Sequence, residues 1–204
     1  MPFSRFDVEL RKCASRFVVY GALTFALVLM FSVVASAQSS DNYVVTYFDN
    51  NGAAGAPDAF IHILNPGVAS GSLCASIYVW RNDQELSECC SCPITANGLL
   101  TIRVSALTAN PGDHAGSPVS GSVAILGDSA CDATAPTATS DLRAWATHVN
   151  ADTVSGGFDV TETEALDTPL SGGESTEAAG RCGFIRVNGS GAGRCDNVCA
   201  GATD

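Results

Sequence analysis

The sequence predicts a mainly β fold, a sandwich or irregular barrel of about seven to eight short strands that is stabilised by disulfides and contains at most a short helix. Short runs of β-branched and aromatic residues recur along the chain, and Gly, Pro, Asn and Asp separate them. Eight cysteines follow residue 37. No internal repeat, coiled-coil heptad or linker divides this part of the chain.

Leu73–Trp80 carries the clearest strand pattern, because its β-branched and aromatic residues suit a half-buried pleated surface. Asn97-Gly98 favours a tight turn before the next strand. Asp141–Asn150 fits helical spacing as well as a strand, and its Trp-Ala-Thr-His-Val core favours the strand. The other predicted strands are Tyr43–Phe48, Ala59–Leu64, Leu99–Ser105, Ser122–Leu126, Gly156–Thr163 and Phe184–Val187. A capping box from Ser171 to Glu174 predicts a short helix over Glu174–Ala179 that ends at Gly180.

The N-terminal segment has the three parts of a secretory signal. Basic residues lie within the first 16 positions, residues 17–35 are uncharged and largely apolar, and Ala35-Ser36-Ala37 is an A-x-A cleavage site. We therefore expect a signal peptide over 1–37 and a single β-rich secreted domain over 38–204. The destination would be extracellular, periplasmic or the cell surface. The alternative is an uncleaved membrane anchor, since the apolar run is nearly long enough to span a bilayer.

The charge balance limits the partners of the mature chain. Beyond residue 37 there are six arginines, no lysine and nineteen acidic residues, a net charge of about −13. Such a surface repels phosphate backbones, so no nucleic-acid partner is expected. It also lacks a basic patch for anionic membranes, so no membrane association is expected after cleavage. A cell-surface or extracellular partner remains open.

An even number of cysteines in a secreted chain indicates disulfides. The eight are Cys74, Cys89, Cys90, Cys92, Cys131, Cys182, Cys195 and Cys199. Cys89 and Cys90 would point to opposite faces of an extended segment and need separate partners. Zinc or an iron–sulfur cluster is the alternative. Cys195 and Cys199 have suitable spacing for it, but Cys90 and Cys92 are too close.

One bridge follows from a hairpin argument. If Asn188-Gly189 forms a two-residue turn, counting outward places Cys182 opposite Cys195. That site would be non-hydrogen-bonded, with Cα atoms about 4.5 Å apart, at the short end of the range for a disulfide. The sequence therefore predicts a Cys182–Cys195 bridge.

Acidic residues supply two further candidate sites. Calcium could bind loop oxygens of Asp49, Asn51 and Asp58, or of Asp128 and Asp132, although neither set has EF-hand spacing. A glycosidase-like pair could come from Asp159, Glu162, Glu164 and Asp167. Dense clustering of these acids favours solvated side chains instead. No catalytic, cofactor or metal residues are assigned.

No catalytic motif such as H-E-x-x-H, G-x-S-x-G or a P-loop occurs. The first functional hypothesis is therefore a non-enzymatic, exported structural or adhesive binding module. The second is a secreted hydrolase that uses loop carboxylates, and the third a metal-binding extracellular protein. An aromatic-lined cleft flanked by two carboxylates would favour the hydrolase, and a continuous sandwich without a pocket would favour the module.

Three segments carry a family resemblance: the ECCSCP-containing stretch from Leu73 to Ile102, the LRAWATHV segment, and the tail from Cys182 to Cys199. Together they resemble a family of secreted, cysteine-rich bacterial proteins for which no activity is established. The resemblance implies a bacterial, exported origin and no functional residues.

The export hypothesis predicts a defined mature N-terminus. Mass spectrometry of the exported protein should find Gln38 as its first residue, because cleavage follows Ala37. An intact chain that begins at Met1 in the inner membrane would contradict this prediction.

Overall fold

The structure, a computed structural model, describes residues 43–49, 55–67, 71–112, 120–139, 141–152, 154–188 and 198–199. Within these ranges the elements are β1 (Tyr43–Asp49), β2 (Phe60–Leu64), β3 (Leu73–Arg81), β4 (Leu86–Ile94), β5 (Leu99–Arg103), α1 (Val104–Leu107), β6 (Ser120–Asp128), β7 (Arg143–Ala151), β8 (Phe158–Glu164), β9 (Leu166–Asp167) and α2 (Gly172–Asn188). No helix in the described ranges is long and apolar enough to cross a membrane.

The strands form two antiparallel sheets. Sheet A has the order β4-β3-β6-β1-β9, and sheet B has the order β5-β2-β7-β8. The predicted fold class, a mainly β sandwich with disulfides, is confirmed, and the sheets do not close into a barrel. Seven of the predicted strands are present within a few residues of their expected bounds.

Alternating side chains build the core between the two sheets. In β2, for example, Ile61 and Ile63 are fully buried while their neighbours are half-buried. In β3 the same role falls to Ile77 and Val79. Period-two alternation therefore turns one apolar face of each sheet toward the other, and removal of this surface from water is the main driving force for the sandwich.

One strand segment links the two sheets at an edge. Glu164 of β8 pairs with Trp145 in sheet B, whereas Leu166 of β9 pairs with Val45 in sheet A. The residue between them, Ala165, donates its backbone N–H to Ala144 O at 2.9 Å. The chain thus passes from one sheet to the other without a loop, a known way of forming a corner in a sandwich.

The C-terminal part of the fold differs from the sequence prediction. Phe184–Val187 is not a strand, and the helix does not end at Gly180, because α2 runs on to Asn188. The Ser171–Glu174 capping box is present, with Glu174 N donating to Ser171 Oγ at 3.2 Å. Buried residues at helical spacing then carry the helix onward: Ala178, Ala179, Cys182 and Ile185.

The predicted Cys182–Cys195 hairpin bridge is therefore wrong, since Cys182 is bonded to Cys89 of β4. This disulfide joins α2 to an edge strand of sheet A. The helix packs on the outer face of the sheet over β4, β3 and β6, where it meets Tyr78, Leu86, Cys89, Ala124 and Leu126. At the opposite edge, Tyr47 and Leu166 remain 54% and 74% exposed.

Two glycines should respond in opposite ways to a methyl group. A Cβ at Gly121 would overlap the carbonyl oxygen of Trp80 and lie 2.9 Å from two ring carbons of Phe48. Gly121→Ala should therefore lower the free energy of unfolding by about 1–3 kcal/mol. A Cβ at Gly180 in α2 would meet nothing within 4 Å, so Gly180→Ala should raise the free energy of unfolding by about 0.5–1 kcal/mol. Urea denaturation of both variants measures the two changes in the free energy of unfolding, and changes of the same sign and size would contradict the prediction.

Candidate binding cleft

A cleft with a volume of about 410 Å³ lies between α2 and the outer face of sheet A. Its floor comes from short side chains of β1 and β6, and one wall from the first turns of α2. The lining residues are Tyr43, Val45, Trp80, Arg81, Gln84, Ser122, Ala124, Glu174, Glu177, Ala178 and Arg181. The cleft exists because α2 is attached at the β4 edge and leaves the sheet uncovered toward β1.

Two aromatic residues give the cleft its apolar surfaces. Tyr43 and Trp80 are both half-buried and lie on the outer face of the sheet. Burial, and secondarily the nearby Glu174 carboxylate, raise the pKa of the Tyr43 phenol. Tyr43 thus stays protonated at neutral pH and can donate a hydrogen bond. The guanidinium of Arg181 lies 5.5 Å from the centre of the Trp80 ring, a cation–π contact.

The carboxylates of the cleft are held by α2 itself. Glu174 Oε2 accepts hydrogen bonds from Ser171 N at 3.0 Å and Ser171 Oγ at 2.7 Å. Glu177 Oε1 accepts from Arg181 Nε at 3.0 Å and Nη2 at 2.8 Å. Because residues three and four apart share one face of a helix, this spacing aligns both acids and the arginine along the cleft wall.

The cleft has the aromatic lining and the two carboxylates that would favour a hydrolase, but the hydrogen bonds of Glu174 oppose the role of general acid. A glycosidase general acid needs a raised pKa so that it carries a proton at working pH. Instead, the hydrogen bonds from Ser171 lower the pKa of Glu174. Glu177 is ion-paired with Arg181 at 2.8 Å. The geometry therefore suits hydrogen bonding to a ligand rather than proton transfer.

The four acids proposed from the sequence as a glycosidase pair lie elsewhere. Asp159, Glu162 and Glu164 are exposed on β8, and Asp167 is exposed on β9. Glu164 faces Arg143 at 3.6 Å in a solvent-exposed ion pair. Such pairs contribute little to stability. None of the four lines the aromatic cleft.

Three of the four acids proposed for calcium have protein donors around them, and the fourth, Asp49, ends β1. Asp128 is fully buried, and its carboxylate accepts from Ser76 Oγ at 2.8 Å and from three backbone N–H groups of the loop that follows β6. Asp132 accepts from Thr134 N and Oγ1. Asp58 accepts from Ser105 N and Oγ at the start of α1. N–H donors repel a cation, so Asp128 organises its loop instead. Asn51 lies outside the described residues.

The disulfides use both faces of β4, as the adjacent cysteines predict. Cys89 points to α2, whereas Cys90 and Cys92 lie in the core between the sheets. Cys92 is bonded to Cys199, Cys74 to Cys131, and Cys90 is disulfide-bonded as well. The sulfurs of Cys90, Cys92 and Cys199 lie within 4.8 Å of one another. Cysteines engaged in disulfides lack the free thiolates that a metal site requires. Cys195 lies outside the described residues.

No known protein family, curated protein or solved structure matches the chain.

Sequence reasoning missed most of the cleft. Trp80 and Glu177 are far apart in the chain, and the sheet on which α2 packs is set by the Cys89–Cys182 bond. Two local signals were nevertheless present. Ser171 and Glu174 have capping-box spacing, and Glu177 and Arg181 have the i,i+4 spacing of a helical ion pair.

The Cys89–Cys182 bond should control both α2 and the cleft. The double variant Cys89→Ser with Cys182→Ser should lose about 2–4 kcal/mol of stability and much of its helical signal, because α2 is rich in glycine. Far-UV circular dichroism and urea denaturation measure the two effects. The matched control, Cys74→Ser with Cys131→Ser, should lose stability without losing helical signal. Equal loss of helix in both variants would contradict the prediction.

Proposed function

We propose that the protein is an exported, non-catalytic binding module that acts outside the cytoplasm and holds a neutral, hydroxyl-rich ligand, a saccharide, in the cleft between α2 and sheet A. The observation that carries this proposal is the Glu177–Arg181–Trp80 arrangement beside Glu174. It presents acceptors, donors and an aromatic surface within one cleft.

The donor and acceptor chemistry favours hydroxyl groups. A carboxylate only accepts hydrogen bonds and a guanidinium only donates them, whereas a hydroxyl does both. A sugar hydroxyl beside the Glu177–Arg181 pair can therefore donate to the carboxylate and accept from the guanidinium without breaking the pair. The ring faces of Tyr43 and Trp80 supply the apolar contact that such pockets use together with a few polar groups.

The charge balance favours a neutral ligand. The cleft is lined by two glutamates, Glu174 and Glu177, and two arginines, Arg81 and Arg181. Their opposite charges offset one another, so neither an anion nor a cation gains a large net attraction. The volume of about 410 Å³ lies in the range of small-molecule sites.

Export is supported by two features. Three disulfides join cysteines of the described residues, and disulfides persist in oxidising compartments. The signal pattern over residues 1–37 and the acidic mature chain support export, and the family resemblance implies a bacterial protein of the periplasm, the cell surface or the extracellular space.

A fluorescence titration tests the binding proposal. The chain has two tryptophans, so Trp145→Phe leaves Trp80 as the sole reporter in the cleft. Methyl glycosides of glucose, galactose and N-acetylglucosamine are the probes, and at least one should change the Trp80 emission. Glu174→Gln should weaken that binding by about tenfold, the effect of losing one hydrogen bond to a charged group. Glutamine retains the capping box, so the variant should keep the start of α2 intact.

Two controls separate binding from hydrolysis. Glu162→Gln alters an exposed acid outside the cleft and should leave the affinity unchanged. The p-nitrophenyl glycosides of the same sugars should release no nitrophenolate. Release of nitrophenolate that Glu177→Gln abolishes would replace the binding proposal with the hydrolase hypothesis. If no methyl glycoside changes the Trp80 emission, the binding proposal is refuted.

A further inference from the structure

A second, more apolar cavity adjoins the cleft at the edge of sheet A, where β8 of sheet B contributes Thr163 and Glu164 to its lining. It has a volume of about 570 Å³ and is lined by Val45, Thr46, Tyr47, Ser122, Thr163, Glu164, Leu166 and Thr168. We call it the β1 groove. Val45 and Ser122 line both the cleft and the groove, so the two cavities adjoin each other.

The sheet register explains why the two cavities adjoin. Trp80 pairs with Ser122 across β3 and β6, and Ser122 pairs with Tyr47 across β6 and β1. The small serine therefore lies between two aromatic residues whose strands are about 10 Å apart. In the next row, Leu166 pairs with Val45. The polar cleft and the apolar strip therefore meet at Ser122, between Trp80 and Tyr47.

The groove is shaped in advance rather than by a ligand. The Tyr47 ring stacks on His148 with ring centres 3.9 Å apart and planes inclined by 10°. His148 is buried, its Nε2 lies 2.6 Å from Thr163 Oγ1, and burial lowers the pKa of its imidazole. Tyr47 therefore rests on a fixed, neutral ring, although the residue is 54% exposed. Leu166, which is 74% exposed, forms the other side.

We propose that the cleft and the β1 groove together bind an amphiphile, with a neutral, hydroxylated head group in the cleft and a single alkyl chain in the groove. This inference rests on the proposed function for the head group. The groove supplies almost wholly apolar surface, and an alkyl chain gains free energy when that surface leaves water. The threonine hydroxyls of the groove already have protein partners: Thr46 with Tyr47 O, Thr163 with His148 Nε2 and Thr168 with Leu166 O. A sugar chain that continued into the groove would therefore find few partners for its own hydroxyls.

Paired glycosides test this inference. Octyl β-glucoside and methyl β-glucoside share a head group, as do the corresponding galactosides, and all are titrated below the micelle concentration into Trp145→Phe protein. The octyl compound of at least one pair should bind at least about tenfold more tightly than its methyl partner, because each buried methylene adds favourable transfer free energy.

Two surface leucines provide matched variants. Leu166→Ser in the groove should remove most of the octyl gain and leave methyl glycoside binding unchanged. Leu99→Ser, at a residue 51% exposed on sheet B, should leave both unchanged. Ser122→Leu should fill the point where the cleft and the groove meet, and it should weaken binding of the octyl compound most. Circular dichroism confirms that each variant folds.

The outcomes distinguish the two proposals. Equal binding of methyl and octyl glycosides would overturn the amphiphile inference and leave the proposed function standing. The amphiphile inference would also be overturned if Glu174→Gln did not weaken binding of the octyl compound. The same holds if Leu99→Ser weakened that binding as much as Leu166→Ser does. If neither compound of either pair binds while a methyl N-acetylglucosaminide does, the amphiphile inference is overturned and the proposed function stands. If no probe binds, both proposals fail.

Discussion

The position of α2 on sheet A depends on its covalent bond to β4. The helix has glycine at four of its seventeen positions, and the side chains it buries are mostly small. Such a helix has weak intrinsic stability and little apolar surface with which to choose a docking site. The Cys89–Cys182 disulfide holds it at one edge of a five-stranded sheet. Because of that attachment, α2 covers the part of the outer face near β4 and leaves the part near β1 open.

The side chains of the cleft are positioned in two ways, by residue spacing along α2 and by strand register across sheet A. Along α2, short-range spacing fixes the relation among Glu174, Glu177 and Arg181, so these groups keep their arrangement wherever the helix packs. Across the sheet, strand register fixes the aromatic and small side chains on the floor. A ligand site arises where the two surfaces meet. Neither surface alone has both the polar groups and the apolar contact that a small-molecule site requires.

The parts of the fold with local signals could be predicted from the sequence. Leu73–Trp80 was recognisable because β-branched and aromatic residues suit a pleated surface. Leu86–Ile94 was not, since cysteine, serine and glutamate give no strand pattern and the segment becomes a strand by pairing with β3. The start of α2 was visible in its capping box. Its extension through Phe184–Val187 was hidden by an alternating pattern and by glycines, and long-range contacts decide it. The charged wall of the cleft had a local signature, but the floor beneath it did not.

The disulfide connectivity also affects how an exported chain can mature. If the chain is exported as proposed, Cys89, Cys90 and Cys92 would enter an oxidising compartment almost together, whereas the partners of Cys89 and Cys92 follow 93 and 107 residues later. Oxidation in order of arrival would join near neighbours and trap a strand that is needed for sheet A. Native pairing then requires thiolate attack on such early bonds, a reshuffling that takes seconds to hours and depends on an isomerase or a redox buffer. The order of cysteines would thus make the maturation of an exported chain sensitive to the redox conditions of the compartment.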